Sequence, residues 1–131
     1  MKKLSKTKIL KSKKALHARV WKIFSIWVRK TAANFQGLAP CYSCGLLFDW
    51  KSLHAGHFRH DCYDFDPLNI HPQCSRCNTF LHGNLGNYAV HLIQEYGINR
   101  VEAFQDLPKW NDYSMEELEN LEIKYAVLLQ T

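Results

Sequence analysis

Two Cys-x-x-Cys pairs constrain this chain more than anything else in it. They are Cys41-Tyr42-Ser43-Cys44 and Cys74-Ser75-Arg76-Cys77, with 29 residues between Cys44 and Cys74. A two-residue spacer lets both thiolates of a pair point at one ion, and zinc takes four soft ligands in a tetrahedron. The spacing therefore predicts a structural Zn²⁺ held by Cys41, Cys44, Cys74 and Cys77. Cys62 fits no pair and reads as an ordinary buried or loop thiol. Cysteines spaced for metal suit a reducing compartment better than a disulfide framework does.

Around this clip, 131 residues are enough for one compact domain. Residues 1–40 carry eleven Lys and Arg and no acid, whereas residues 41–131 carry six basic and twelve acidic side chains. The chain is thus +11 followed by −6, and so one-sided a block favours a polyanion through phosphate contacts and counterion release. Membrane insertion is not expected, nor is a signal peptide. The apolar residues of 16–28 are broken by His17, Arg19 and Lys22, while a spanning helix needs about 20 mostly apolar residues.

Residues 1–14 alternate Lys with Ser, Thr, Leu and Ile and read as a basic flexible arm, disordered or loosely helical. Leu16, Val20, Ile23, Phe24, Trp27 and Val28 then recur at helical spacing, predicting a basic amphipathic helix over 15–37 that stops at Gly37 and Pro40. On the same spacing Trp21 and Trp27 belong to the core. Residues 46–50 and 53–58, either side of Lys51-Ser52, suggest a hairpin. Asp61, Asp64 and Asp66 lack calcium-loop spacing and read as a solvated loop. Asn69-Ile70-His71 leads as a strand or turn into the second Cys pair, which should open a helix continuing to Gly83. Tyr88, Leu92, Ile93 and Tyr96 mark a further helix, and Ser114 with Glu117 forms a capping box for the last one. The expected fold is α+β, a single domain over 15–131: the N-terminal helix, a zinc-bound ββα core over 41–84, and C-terminal helices over 85–131.

The polar residues of the core carry a chemistry. Hydrolysing a phosphodiester requires a deprotonated water, neutralised charge on the phosphate and a stabilised leaving oxygen. A histidine can take the water's proton, and one Mg²⁺ or Mn²⁺ can serve the other two needs. His57 on a strand would be the general base. Asn69 would hold its ring or the adjoining loop. Asn78 and His82, four apart on a helix, would share a face and ligate the catalytic ion. Phosphates would be gripped by Lys11, Lys13, Lys14, Arg19, Lys22, Arg29 and Lys30, with Arg59 and Arg76 from the core.

The ordered set Cys41-x-x-Cys44-Gly45, Ala55-Gly56-His57-Phe58-Arg59, Asn69-Ile70-His71-Pro72-Gln73-Cys74, Cys77-Asn78 and Gly83-Asn84-Leu85 resembles the HNH, or ββα-metal, endonucleases. Within them it is most similar to the phage lambda NinG (Rap) family of branched-DNA endonucleases. The resemblance covers residues 15–125. It implies a metal-dependent endonuclease, acting on recombination intermediates such as Holliday junctions in the cytoplasm of a bacterial host. Two departures stand out. Many HNH enzymes place an acidic metal ligand where this chain has Gly56, and NinG-like chains tend to carry an Asp where it has His54. The resemblance thus makes His54 a third candidate ligand for the catalytic ion; a histidine ligates a transition metal as well as an Asp does but suits Mg²⁺ less well, so Mn²⁺, Ni²⁺ or Zn²⁺ should be tolerated at least as well as Mg²⁺. Two nicks per junction imply a homodimer joined through the long helices. The alternative from another class is a zinc-stabilised nucleic-acid-binding module that does not cut.

Overall fold

Ser5 starts the first helix. Its hydroxyl accepts the backbone N–H of Lys8 at 3.2 Å, satisfying one of the donors that a helix start leaves unpaired. In the computed structural model, which describes residues 5–110 and 112–130, helix α1 spans Lys6–Thr31. The expected arm is therefore helical from Lys6 onward. Lys, Leu and Ala are strong helix formers and need no apolar stripe to extend a helix already nucleated. Lys2 and Lys3 lie outside the described residues. The helix also stops short of Gly37. Asn34 turns the chain by accepting the backbone N–H groups of Gln36 and Leu38 at 2.9 and 3.1 Å, and Arg29 and Lys30 in the last helical turn complement its carbonyl end.

Where the sequence predicts one body over 15–131, the chain divides into two compact units: residues 1–27 with 112–131, and residues 28–111. In the first, α1 packs on α4, Met115–Leu129. Leu16, Val20 and Phe24 are buried from α1, and Leu118 and Tyr125 from α4. Phe24 meets Tyr125 edge to face at 4.8 Å, and Trp27 lies 4.9 Å from the same ring. The capping box forms as expected. Ser114 Oγ accepts from the Glu117 N–H at 3.0 Å, and Glu117 Oε1 accepts from the Ser114 N–H at 3.1 Å.

The second unit holds the cysteines. Strand β1, Leu38–Pro40, pairs antiparallel with β2, Leu47–Asp49; β3, His54–His57, pairs antiparallel with β4, Ile70–Gln73. The hairpin expected between 46–50 and 53–58 does not form. Asp49 accepts the Lys51 N–H at 2.9 Å and opens a short 3₁₀ turn, Trp50–Ser52, so the chain leaves β2 and finds its partner further on. After β4 comes a single π-helical turn, Arg76–Phe80, then helices α2, Leu85–Tyr96, and α3, Ile98–Asp106. The long helix expected from the second Cys pair to Gly83 is thus one turn, followed by three left-handed residues: His82, Gly83 and Asn84 at φ 51°, 97° and 44°.

Phe58, Leu68, Tyr88, Leu92, Val101 and Phe104 form one apolar core that seats α2 and α3 behind the β3–β4 loop. Ala39 and Leu53 pack with the cysteines in another. Among the described residues no helix is long and apolar enough to cross a membrane.

Candidate functional site

The four paired cysteines converge. Their sulfurs all lie within 4.8 Å of one another, with Cys44 Sγ 3.9 Å from Cys74 Sγ across the two pairs. A tetrahedral zinc with sulfur at about 2.3 Å separates its ligands by about 3.8 Å, so the donor set fits. Each pair adds an N–H to sulfur contact: Cys44 N–H to Cys41 at 3.5 Å and Cys77 N–H to Cys74 at 3.4 Å. Asn84 Nδ2 donates to Cys77 Sγ at 3.5 Å. Burial pushes Cys77 up to about 12 and also raises Cys44. Burial acts on Cys41 too, but the backbone N–H groups of Cys44, Cys74 and Ser43 outweigh it and hold that thiol at about 7. Four thiols this close ionise together only around a cation, and the cluster could hold a structural metal such as zinc in that role.

Gln73, directly before Cys74, bolts the pieces of this centre to one another. It is fully buried, and its Nε2 donates to Ser43 Oγ at 2.8 Å and to the Gly83 carbonyl at 2.7 Å. One contact thus reaches between the first cysteines and the other follows the second. Tyr42 N–H adds a bond to the Pro72 carbonyl at 2.8 Å. Because Nε2 faces an obligate acceptor, Oε1 must face Gly56, where a Cβ would lie 1.8 Å away.

At the end of β3, His57 Nε2 lies 2.9 Å from Asp64 Oδ1, with the Asp64 side chain 12 % exposed. A carboxylate accepts, so Nε2 carries the proton that faces Asp64. The loop that brings Asp64 back is pinned by fully buried Asn69. Its Oδ1 accepts the Arg59 N–H at 2.7 Å, and its Nδ2 donates to the carbonyls of Arg59, Cys62 and Tyr63 at 3.0, 2.9 and 3.3 Å. Of the two tasks expected of Asn69, these bonds perform the second, holding the loop rather than the ring. Asp61 and Tyr63 within that loop sit at φ 60° and 49°, a left-handed conformation that non-glycine residues hold only where the surroundings enforce it.

Beneath the hairpin, Tyr88 of α2 donates to the Gly56 carbonyl at 2.8 Å. That hydroxyl in turn accepts from His71 Nδ1 at 3.0 Å. Burial holds His71 at about 4, and Tyr42 stacks on it at 3.9 Å.

The helix expected to carry Asn78 and His82 on one face does not form. Side chains alternate along a strand, so His54 and His57, three apart on β3, leave opposite faces. Asn78 lies half-buried in the π turn, while His82 is exposed in the left-handed turn, so the shared helical face is lost. Among the described residues, the four cysteines are the one group of three or more His, Cys, Asp or Glu close enough to hold a metal.

The basic residues divide in the same way. Lys11, Lys14, Lys22, Lys30 and Arg76 are exposed. Lys13 pairs with Asp112 at 2.7 Å and Arg19 with Glu122 at 3.1 Å. Arg29 donates to the Trp50 and Leu53 carbonyls, both at 3.3 Å, and Arg59 to the Phe104 carbonyl at 3.0 Å. These last two serve the fold.

Sequence reasoning missed Asp64, Gln73 and Tyr88. The acid-rich loop after His57 held the signal for Asp64, but nothing in its spacing separates a buried partner from exposed Asp61.

A family model described as Bacteriophage Lambda NinG protein matches residues 1–131. Protein ninG of Salmonella phage P22 is 37 % identical over 95 residues, covering 70 % of this chain and 46 % of the relative. The proteins ninG of Escherichia phage 933W and Escherichia phage lambda are 36 % and 33 % identical over 95 residues, each covering 70 % of this chain and respectively 47 % and 46 % of the relative. The chain spans about half the length of the curated relatives it matches. No solved structure matches it.

Proposed function

Because the chain belongs to the bacteriophage lambda NinG family, we propose that it is an HNH-type, metal-dependent DNA endonuclease acting on branched recombination intermediates such as Holliday junctions in the cytoplasm of the host. The observation that carries this reading is the His57–Asp64 pair at the end of a strand, on a hairpin tied to the four-cysteine centre. Asp64 orients the ring, and His57 takes the proton of the attacking water. Asn69 holds the loop that carries Asp64. The strand, strand and helical turn over residues 54–80 follow the chain order of a ββα unit, which supports the superfamily assignment.

A divalent ion such as Mg²⁺ or Mn²⁺ would neutralise the phosphate and stabilise the leaving oxygen. Asn78 is the side chain best placed in sequence to hold it, with His82 second; the opposite-face argument removes His54 from an ion beside His57. Exposed Lys11, Lys14, Lys22, Lys30 and Arg76 supply phosphate contacts. A homodimer provides the two nicks that a junction requires. The second reading, a zinc-stabilised binding module without cleavage, is favoured by one observation: no second three-ligand group of His, Cys, Asp or Glu exists among the described residues.

The test is incubation with a four-way junction and with linear duplex, each with and without Mg²⁺ or Mn²⁺. The junction is expected to be cut. His57→Ala should lower the rate about 10²–10⁴-fold, and Asp64→Asn should lower it less. Cutting in none of these conditions favours the binder, and cutting undiminished by His57→Ala removes the base assignment.

A further inference from the structure

The hydrolytic reading leaves an apolar projection unused. Phe80, Leu81 and Leu85 are 74 %, 41 % and 38 % exposed. Phe80 closes the π turn that carries Asn78, and Leu81 follows it. A Cβ on Gly83 would meet Leu85 Cδ2 at 3.0 Å and His60 Nε2 at 3.3 Å, so Leu85 and the loop leaving β3 border the same turn.

This projection is mounted stiffly. Leu81 N–H donates to the Arg76 carbonyl at 2.8 Å, Gly83 N–H to the Cys77 carbonyl at 2.7 Å, and Asn84 N–H to the Leu81 carbonyl at 2.9 Å. The stretch of chain that carries it is poor in acid. Residues 67–94 contain no Asp or Glu, and Arg76, on the same π turn, is their one Lys or Arg.

We infer that Phe80, backed by Leu81 and Leu85, is a wedge that enters an open base step of DNA. The inference rests on the proposed function for the identity of the polymer. A strand of DNA presents apolar base faces between phosphates, which is the complement of an aromatic tip beside a cation. Inserting such a tip into a closed step must first unstack two neighbouring bases. At a branch the step is already open, so the wedge favours branched over continuous DNA by the stacking it gains there. Phe80 is thereby a specificity residue, separate from the groups that would move the proton.

The test uses the full chain carrying His57→Ala, so that binding is read without cutting. Dissociation constants are measured at fixed salt for a four-way junction and for a continuous duplex of equal length. Adding Phe80→Ala is expected to cut the preference for the junction about tenfold while leaving duplex affinity unchanged. Phe80→Trp is expected to keep the preference. Zinc content and circular dichroism establish that each variant is folded, as a side chain this exposed allows. An unchanged preference with Phe80→Ala overturns the wedge, as does the absence of any preference before Phe80 is altered. A preference that depends on Phe80, in a protein whose unaltered form cuts nothing, sustains the wedge and sinks the nuclease. Cutting by a protein indifferent to Phe80 does the reverse.

Discussion

The side-chain carbonyl of Gln73 stands 1.8 Å from where a Cβ on Gly56 would be. Nothing larger than hydrogen fits there while Gln73 keeps its bonds to Ser43 and Gly83. Under the proposed nuclease reading, this leaves no room for the acid that many HNH enzymes carry at this position. Gly56→Ala should cost about 1–3 kcal/mol, the range for overpacking a filled core, and Gly56→Asp more. Thermal melting checks it. Combining Gly56→Ala with Gln73→Ala should cost less than the two single losses added together, since the second change empties the contested space.

Asn69 is the least replaceable side chain of the β3–β4 loop. Asn69→Ala strands one backbone N–H and leaves three carbonyls without the donor they now share. At about 1–3 kcal/mol for a buried group left unsatisfied, a loss of several kcal/mol is expected. Urea denaturation measures it. A cost below about 1 kcal/mol would mean that Asn69 is not what pins the loop.

His71 makes stability depend on pH. Its folded value is about 4, lowered by burial from an ordinary 6.5. Between pH 6.5 and 4 the unfolded chain therefore binds the proton more readily, so stability falls as pH falls through that window, by up to about 1.4 kcal/mol per unit. His71→Leu should remove this component, leaving a flatter profile of melting temperature against pH from 6.5 to 4.5. An identical slope in both proteins would contradict the assignment.

The four-cysteine centre should hold one zinc per chain by mass spectrometry of the metal, retained through gel filtration. Cys41→Ser or Cys74→Ser should lose it. Structural zinc sites contribute on the order of 10 kcal/mol in small domains, so chelation should melt residues 28–111. A melting curve unmoved by chelation would remove zinc from the fold.

The sequence displayed the cysteine pairs, the apolar stripe of α1 and the Ser114 capping box openly, because each is a short-range pattern with a fixed spacing. Strand pairing was not legible. Strands of three or four residues, such as Leu38–Pro40 and His54–His57, are too short to show alternation, and β3 finds its partner β4 only across a long loop. The same limit hid Asp64. Its burial follows from a loop folded back by Asn69, a contact no local pattern announces. Residues 6–14 misled in the opposite direction, since a Lys-rich run without an apolar stripe looks unstructured until Ser5 caps it. The helix expected over Asn78 and His82 broke at a left-handed turn in which only Gly83 is a glycine.

The first unit draws on residues 1–27 and 112–131, with all of the second unit encoded between them. A nascent chain therefore releases α1 first and must finish residues 28–111, on the order of ten seconds of translation, before α4 exists to cover Leu16, Val20 and Phe24. The cysteine-bearing unit can close during that interval, before the helix pair whose residues bracket it.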